Sequence, residues 1–260
     1  MEIKIKDIEN IVREASKLML TESFDISQKG GYENIVTSSD LAVQDFLIRE
    51  LSKLLPGSGF ICEEKDVEDL GKEYTWIIDP IDGTANYSRN VSDCAICVGL
   101  KDNVGMKMAV IFIPRREMLY TAERDKGAYL NGEPIHVSDR TFADAILCAA
   151  LPVYHKEKAE MCSHIIADTF RQCNDIRRYG AAAPELCYIA TGYYELYFEY
   201  LLSPWDFAAA SLIIEEAGGI ICNHEGQKID MTKPSGVVVA NNEENLQRFL
   251  EIIRRHKSAE

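Results

Sequence analysis

About a third of the way along its 260 residues, the chain carries the stretch Trp76-Ile77-Ile78-Asp79-Pro80-Ile81-Asp82-Gly83-Thr84. Its first part is an apolar run typical of a buried strand, and the run ends in two closely spaced aspartates. Pro80 fixes one backbone angle between them, and Gly83 allows a sharp turn directly afterwards. Because two carboxylates that close repel each other, we expect a cation at this end of the strand.

The strand end offers only oxygen ligands, namely the carboxylates of Asp79 and Asp82 and the carbonyl oxygen of Ile81. Such a set favours Mg²⁺, Mn²⁺ or Ca²⁺ over zinc. The same stretch would also serve as an ordinary aspartate-rich turn that caps a strand. Taken alone, it leaves both interpretations open.

Other acidic sites pose the same choice between a structural and a functional role. Glu63 and Glu64 follow a short apolar run and, alone, would suit a solvated surface. Asp40 and Asp206 each stand at the third position of a predicted helix, where they could simply complete capping boxes. However, a helix N-terminus also attracts phosphate through its N–H groups and its dipole. An aspartate there could bind a metal ion that bridges to the same phosphate.

Length, composition and charge narrow the class of protein. The chain shows no composition break and is 47% apolar, which suits one large domain with a substantial core. Its net charge of -14 disfavours nucleic acid as the main substrate, and cations would have to mediate any contact with phosphate. No apolar run reaches the length of a membrane span, and the first residues do not resemble a signal peptide. We therefore expect a cytoplasmic protein without a membrane partner.

The cysteines and histidines offer no separate site. The eight cysteines do not form a disulfide framework, and Cys94 and Cys97, although spaced as CxxC, lie in an apolar stretch that favours two core residues. The histidines fall in no motif, and we expect all five to be surface or loop residues. These are His136, His155, His164, His224 and His256.

Hydrophobic periodicity predicts helices at 8–20 and from about 38 to Pro56-Gly57. Strands are predicted at 74–79, 95–100, 106–113 and 117–123, and Asn131-Gly132 is a turn signal. The second half alternates strands near 145–151, 174–179, 194–200 and 236–240 with helices near 157–172, 182–191, 204–217 and 243–256. We expect a single domain, with an N-terminal α+β half at about 1–140 and a C-terminal α/β half at about 141–260.

The order of these sites along the whole chain resembles the inositol monophosphatase family. The matching residues are Val36-Thr37-x-x-Asp40, Glu63-Glu64, the stretch at 76–84, Trp205-Asp206-x-Ala208-Ala209 and Glu216-Ala217-Gly218-Gly219. The aspartate stretch and the block at 205–219 are two independent signatures in the right order. The resemblance implies an α/β (α+β) fold, arranged as a layered αβαβα sandwich with the active site between two sheets, and a homodimer.

Matched residue by residue, the resemblance implies metal ligands. Glu63, Asp79 and the Ile81 carbonyl would hold the first Mg²⁺. Asp79, Asp82 and Asp206 would hold the second. A third, weaker ion would lie near Glu63, which makes this residue part of the catalytic group. The resemblance thus implies two to three Mg²⁺ ions, and it implies inhibition by Li⁺.

The resemblance also implies catalytic and substrate-binding residues. Asp40 and Thr84 match the pair that orients and deprotonates the attacking water, and the amides of Gly83 and Thr84 match a phosphate site. Lys29 matches a lysine on a mobile loop near the metals. Substrate contacts are implied for Asp82, Gly83, Thr84, Gly180, Ala181, Ala182, Glu199 and Asp206.

The implied activity is that of a Mg²⁺-dependent phosphomonoesterase, which hydrolyses inositol monophosphate to inositol and phosphate. One alternative keeps this chemistry but acts on fructose 1,6-bisphosphate or another sugar phosphate, since Ala181 replaces a hydroxyl common in the family's substrate-binding stretch. Ala85 argues against nucleotides, because the branch that acts on 3′-phosphoadenosine compounds has lysine there. An alternative of another class is a non-catalytic protein that acts by binding RNA polymerase.

Overall fold

The computed structural model describes residues 3–20, 24–31, 34–64 and 72–257. The helices in these ranges are α1 Ile5–Met19, α2 Ser38–Leu54, α3 Thr84–Tyr87, α4 Ala159–Phe170, α5 Ala182–Ala190, α6 Pro204–Glu216 and α7 Glu243–Lys257. The strands are β1 Ile26–Gly31, β2 Asn34–Thr37, β3 Gly59–Cys62, β4 Thr75–Asp82, β5 Ala95–Lys101, β6 Met106–Ile113, β7 Met118–Glu123, β8 Ala128–Leu130, β9 Glu133–Ile135, β10 Ile146–Ala149, β11 Asp175–Arg177, β12 Leu196–Leu202, β13 Ile220–Cys222 and β14 Ser235–Ala240. None of the described helices is both long and apolar enough to cross a membrane.

Two large sheets contain all the described strands except β1 and β2, which pair with each other. The larger sheet has the order β3-β4-β5-β6-β7-β8-β9 and is antiparallel except where β3 runs parallel to β4. The second sheet has the order β11-β10-β12-β14-β13 and mixes parallel with antiparallel pairs. The predicted, mostly antiparallel sheet in the first part of the chain is therefore confirmed, and the later strands form a sheet of their own. The β1–β2 pair and β13 were not predicted, because they are short and lack a clear hydrophobic period.

Helices form the remaining three layers. Helices α1 and α2 cover one face of the larger sheet, where Val12 and Leu47 pack with Trp76. Helices α5 and α6 fill the space between the two sheets, and α4 and α7 cover the outer face of the second sheet. The order of layers is therefore α-β-α-β-α, as the family resemblance implies. Because α6 packs on β4, its first turn lies near the end of that strand.

The strand that carries the two aspartates has an irregular hydrogen-bond ladder between them. Strand β4 is buried along its whole length, and its pairing with β5 shifts register between Asp79 and Asp82. In a regular strand, residues three apart point to opposite faces. A shift in register changes this alternation, and Pro80 can lie within it because proline has no N–H to donate. The irregular ladder thus lets both carboxylates converge.

The second sequence signature, Glu216-Ala217-Gly218-Gly219, ends α6 and ties it to the larger sheet. The Glu216 carboxylate accepts hydrogen bonds from the N–H groups of Asp125 and Gly127, both at 2.7 Å. Gly218 has a left-handed φ of +88°, the conformation in which helices commonly end. This block therefore serves the fold and holds α6 against the sheet.

Candidate active site

Three carboxylates from two parts of the chain meet between the sheets. Asp79 and Asp82 lie at the end of β4, and Asp206 lies in the first turn of α6. Each offers an oxygen, and these oxygens lie within 4.8 Å of one another. Asp79 and Asp82 are buried, whereas Asp206 is half-buried. Of the predicted metal ligands, the structure brings these three into one group.

Main-chain N–H groups fix the orientation of all three carboxylates. Asp79 accepts a hydrogen bond from the N–H of Ile81 at 2.9 Å, and Asp206 accepts one from Ser203 at 2.8 Å in the predicted capping box. Asp82 accepts from the N–H of Ala183 at 2.7 Å, at the start of α5. An ionised carboxylate has about four acceptor positions, so each group retains capacity for a cation.

Burial and mutual repulsion raise the pKa values of these carboxyl groups. Burial raises the pKa of Asp79 well above its usual range, and the charges of Glu63, Asp82 and Asp206 add to this shift. Burial also raises the pKa of Asp82 to about 7, and burial followed by the charge of Asp82 raises that of Asp206 well above its usual range. For all of these groups to be ionised at neutral pH, a nearby positive charge has to offset their mutual repulsion.

This group of residues fits magnesium. All donors are oxygens, and around one octahedral Mg²⁺ with ligands at about 2.1 Å the oxygens lie up to about 4.2 Å apart. The observed separations of up to 4.8 Å need only a small closure. The raised pKa values reflect burial and repulsion among the carboxylates, and a divalent cation bound there would stabilise their ionised forms. Zinc, which prefers nitrogen and sulfur ligands, fits this set less well.

Glu63 lies next to the three carboxylates, at the end of β3. It is half-buried, and its charge raises the pKa values of Asp79, Asp82 and Asp206. The turn that carries it is held by Gln44 of α2, whose side-chain oxygen accepts the N–H of Glu64 at 3.0 Å. Gln44 is fully buried, and its side-chain nitrogen has no hydrogen-bond partner within the described ranges.

Asp40 and Thr84 form a hydrogen-bonded pair beside the acidic group. Asp40 completes the predicted capping box of α2, since its carboxylate accepts the Thr37 N–H at 2.8 Å. Its other oxygen accepts the Thr84 hydroxyl at 3.1 Å, and this hydroxyl also lies 3.1 Å from the Ile81 carbonyl oxygen. Burial raises the pKa of Asp40, while the hydrogen bonds from Thr37 lower it. The two interpretations of Asp40 are thus compatible, because one carboxylate serves both contacts.

Gly83 lies where a side chain has no room. Its φ is +83°, and a Cβ atom there would lie 2.7 Å from the Cβ of Ala181 and 3.1 Å from the Asp93 carbonyl oxygen. The turn after the aspartates therefore depends on glycine and packs directly against the predicted stretch Gly180-Ala181-Ala182.

The stretch at 180–182 is positioned by two residues that sequence reasoning missed. The buried carboxylate of Glu185 accepts the N–H groups of Tyr179 and Gly180. The side-chain amide of Asn86 donates to the carbonyl oxygens of Asp93 and Tyr179, both at 2.7 Å. Asn86 lies two residues after Thr84, but its partners are main-chain carbonyl groups 7 and 93 residues away, which any residue type could supply.

Glu199 and Lys29 stand outside the three-carboxylate group. Burial, and next the charge of Glu185, raise the pKa of Glu199 to about 8, while Arg178 opposes the shift. Glu199 also contributes to the raised pKa of Asp206, so the two acids lie close enough to interact. The backbone of Lys29 belongs to β1, and its side chain lies outside what the structure describes.

All five histidines were predicted to be surface or loop residues, and His224 does lie in a turn after β13. It is nevertheless only 5% exposed, and this burial was not predicted. It is buried because its ring stacks on Phe198 and because Nε2 lies 2.9 Å from the Glu199 carbonyl oxygen. Cys94 and Cys97 are buried free thiols, as predicted.

The layered fold and the acidic group at the end of β4 define a class of protein, and the comparisons agree with it. The chain belongs to the inositol monophosphatase family, whose profile matches residues 2–258. Proteins of this family generally use Mg²⁺.

Similar proteins include the Nus factor SuhB of Escherichia coli strain K12, which is 34% identical over 235 residues, 90% of this chain and 87% of that protein. The crystal structure of extragenic suppressor protein suhB from Bartonella henselae matches with a TM-score of 0.83 and 27% identity over 96% of this chain and 95% of that one. A Staphylococcus aureus structure, inositol monophosphate bound SaIMPase-II, matches with a TM-score of 0.84 and 24% identity over 98% and 96%.

Proposed function

We propose that this protein is a Mg²⁺-dependent phosphatase that hydrolyses a phosphate monoester of a small polyol, with inositol monophosphate as the leading substrate. The observation that carries the proposal is the meeting of the Asp79, Asp82 and Asp206 oxygens within 4.8 Å, beside the Asp40–Thr84 pair. The structural match with a protein described as inositol monophosphate bound supports this substrate class.

In the proposed site, Glu63, Asp79 and the Ile81 carbonyl oxygen would hold one Mg²⁺, and Asp79, Asp82 and Asp206 would hold another. A third, weaker ion would be held by Glu63. Bound Mg²⁺ supplies positive charge for the phosphoryl oxygens and lowers the pKa of water. Li⁺ would inhibit by taking one of these positions. The carboxylates would position these cations, and the cations would supply the positive charge, so no cluster of basic side chains is required at the phosphate.

The residues of the chain itself handle the proton. The Thr84 hydroxyl donates a hydrogen bond to the Asp40 carboxylate. An oxygen lone pair of Thr84 is thereby left to face the attacking water. A proton lost by the water passes to Thr84 Oγ1 while the Thr84 proton passes to the Asp40 carboxylate. The raised pKa of Asp40 suits it to accept a proton. The amides of Gly83 and Thr84 bind the phosphate, and Glu199 and the stretch at 180–182 contact the polyol.

Phosphate release from inositol 1-phosphate, fructose 1,6-bisphosphate and 3′-phosphoadenosine 5′-phosphate, with Mg²⁺ or with EDTA, tests the proposal. We expect Mg²⁺-dependent turnover that is fastest with inositol 1-phosphate. Equal or faster turnover of the sugar phosphate would favour the sugar-phosphate alternative. The matched control is Asp79→Asn, which should lower turnover at least about a hundredfold and abolish stabilisation by Mg²⁺ while the variant remains folded. An active Asp79→Asn enzyme would contradict the proposed centre.

A second candidate role is that of a partner of RNA polymerase. It is supported by the name Nus factor, which the 34% identical Escherichia coli relative carries. The comparisons therefore lend no support to the expectation, based on net charge, that nucleic acid is disfavoured as a partner. Pull-down of RNA polymerase by the wild-type chain and by Asp79→Asn tests this role. Retention of polymerase by both would separate binding from catalysis, and retention by neither would remove the second role.

A further inference from the structure

The main chain of β12 leaves its regular pairing directly after Glu199. Strand β12 pairs with β14 from Leu196 opposite Ala240 to Glu199 opposite Val237, and the register then shifts so that Leu202 lies opposite Ser235. The shift spans three steps on β12 and two on β14, which is the arrangement of a β-bulge. A bulge leaves local main-chain groups in need of other partners, since buried carbonyl groups are almost always hydrogen-bonded.

His224 supplies the partner. Its Nε2 lies 2.9 Å from the carbonyl oxygen of Glu199. A carbonyl oxygen can only accept, so Nε2 carries the proton and donates it. Burial lowers the pKa of His224, which keeps the imidazole neutral and gives it this single tautomer. The ring is held in turn by stacking on Phe198, with the centroids 5.2 Å apart.

The neighbouring strand is shaped to admit this ring. A Cβ atom on Gly236 would lie 2.4 Å from two ring atoms of His224. Real Cβ atoms do not approach so closely, so the glycine in β14 and the histidine after β13 depend on each other. A residue larger than glycine at 236 would displace the imidazole from the Glu199 carbonyl.

The histidine and the Glu199 carboxylate lie on opposite faces of the sheet. Phe198 and Tyr200 pack on the outer face with α4 and α7, where the ring of His224 also lies. Side chains alternate along a strand, so Glu199 points to the inner face, towards the acids that raise its pKa. His224 therefore binds the main chain of Glu199 from the outer face of the sheet, opposite to the face on which the Glu199 carboxylate lies.

We propose that His224 is a positioning residue that sets where the Glu199 carboxylate meets the substrate, and that it thereby determines the preference for phosphate esters whose carbon skeleton carries hydroxyl groups. This inference rests on the proposed function. Carboxylates bind hydroxyl groups through directional hydrogen bonds, so a displaced Glu199 would weaken binding of a polyol but not of an ester without hydroxyls.

The test compares inositol 1-phosphate with p-nitrophenyl phosphate, which offers no hydroxyl to Glu199. His224→Phe retains an aromatic ring and removes the donor, and an adjacent cavity of about 280 Å³ gives the larger ring room. Since a net hydrogen bond contributes about 0.5–1.5 kcal/mol, loss of the one between Glu199 and a substrate hydroxyl should raise KM for inositol 1-phosphate by up to about tenfold. We expect kcat to change less than about twofold, and both constants for p-nitrophenyl phosphate to stay unchanged.

Two further variants complete the design. His224→Gln places an amide nitrogen near the position of Nε2 and should restore KM. Gly236→Ala displaces the ring and should therefore raise KM for inositol 1-phosphate as His224→Phe does. If the phenylalanine variant does not fold, the alanine variant tests the inference in its place. Equal increases of KM for both substrates, or no increase for inositol 1-phosphate, would overturn the inference alone. Wild-type protein that hydrolyses neither substrate would overturn the proposed function, and the inference with it.

Discussion

The hydroxyl of Thr84 donates a hydrogen bond to the Asp40 carboxylate at 3.1 Å, although the two residues are 44 positions apart in the chain. The same hydroxyl lies 3.1 Å from the carbonyl oxygen of Ile81. Since a hydroxyl has one proton, the two contacts compete for it. If the Ile81 carbonyl oxygen serves as a metal ligand, as proposed above, the hydroxyl proton would be directed to Asp40. Metal binding and orientation of the nucleophile would then be linked through one hydroxyl group.

Replacement of Thr84 tests this link. Thr84→Val keeps the shape of the side chain and removes the hydroxyl, so we expect kcat to fall by about 10²–10⁴ because proton transfer is lost. Mg²⁺ should still raise the melting temperature, since the carboxylate ligands remain. Thr84→Ser retains the hydroxyl and is the matched control, with kcat expected within about tenfold of wild type. A valine variant as active as the serine variant would remove Thr84 from the proton path.

Asp40 should act as one unit with Thr84. Asp40→Asn keeps the size of the side chain but cannot take up a proton as a carboxylate does. We expect Asp40→Asn combined with Thr84→Val to be little slower than either single variant, because residues that act together have non-additive effects. Multiplicative losses in kcat, measured with saturating Mg²⁺ and substrate, would show that the two residues act independently.

The raised pKa of Glu199 predicts a pH dependence of stability. Burial and the charge of Glu185 raise this pKa from 4.5 to about 8, so the native state holds the proton more tightly than the unfolded state does. Stability from this group is therefore present below pH 4.5 and is lost as the pH rises to about 8. We expect Glu199→Gln, compared with wild type in EDTA, to gain melting temperature progressively over this range and to level off above it. A difference that does not change with pH would contradict the raised pKa.

The sequence predicted the elements better than it predicted the contacts between them. The apolar run before Asp79 and the capping boxes at Asp40 and Asp206 are local patterns, and the structure has them where the patterns predict. The burial of His224 was not predicted, because its partner is a main-chain carbonyl beside a β-bulge, which no residue type indicates.

Glu185 was missed for a similar physical reason. It binds main-chain N–H groups five and six residues earlier in the chain, and any sequence could supply those groups. The convergence of Asp79, Asp82 and Asp206 depends on the packing of α6 against β4, which local periodicity does not describe. The order of motifs along the chain nevertheless indicated this convergence, because it resembles a family whose fold brings these residues together.

Gly83 should be the least replaceable glycine near the site. In Gly83→Ala, a left-handed φ of +83° is combined with a Cβ atom 2.7 Å from that of Ala181. The backbone strain alone costs about 1–2 kcal/mol, and the overlap adds to it. Gly57→Ala is the matched control, because Gly57 has a φ of +85° with nothing within 4 Å of the added atom. We expect denaturant unfolding to show the larger loss for Gly83→Ala, and we expect activity to survive only in Gly57→Ala. Equal losses would show that the turn adjusts to a side chain.

Gln44 provides a test of how the Glu63 turn is held. Its side-chain oxygen accepts the N–H of Glu64 at 3.0 Å, and the amide is fully buried. Gln44→Met fills the same space but leaves this N–H without its acceptor, which costs about 1–3 kcal/mol unless the turn moves. A moved turn displaces the Glu63 carboxylate. Supporting groups of this kind change metal affinity by about 10–100-fold, so we expect Mg²⁺ to bind about tenfold more weakly in calorimetric titration.

Gln44→Glu is the matched control for that titration, since its carboxyl group retains an oxygen that can accept from the N–H of Glu64. We expect this variant to bind Mg²⁺ more tightly than Gln44→Met does. If the methionine variant binds Mg²⁺ with wild-type affinity, the Glu64 contact does not position Glu63. If both variants lose affinity equally, the side-chain nitrogen of Gln44, which both substitutions remove, matters more than the oxygen that accepts from Glu64.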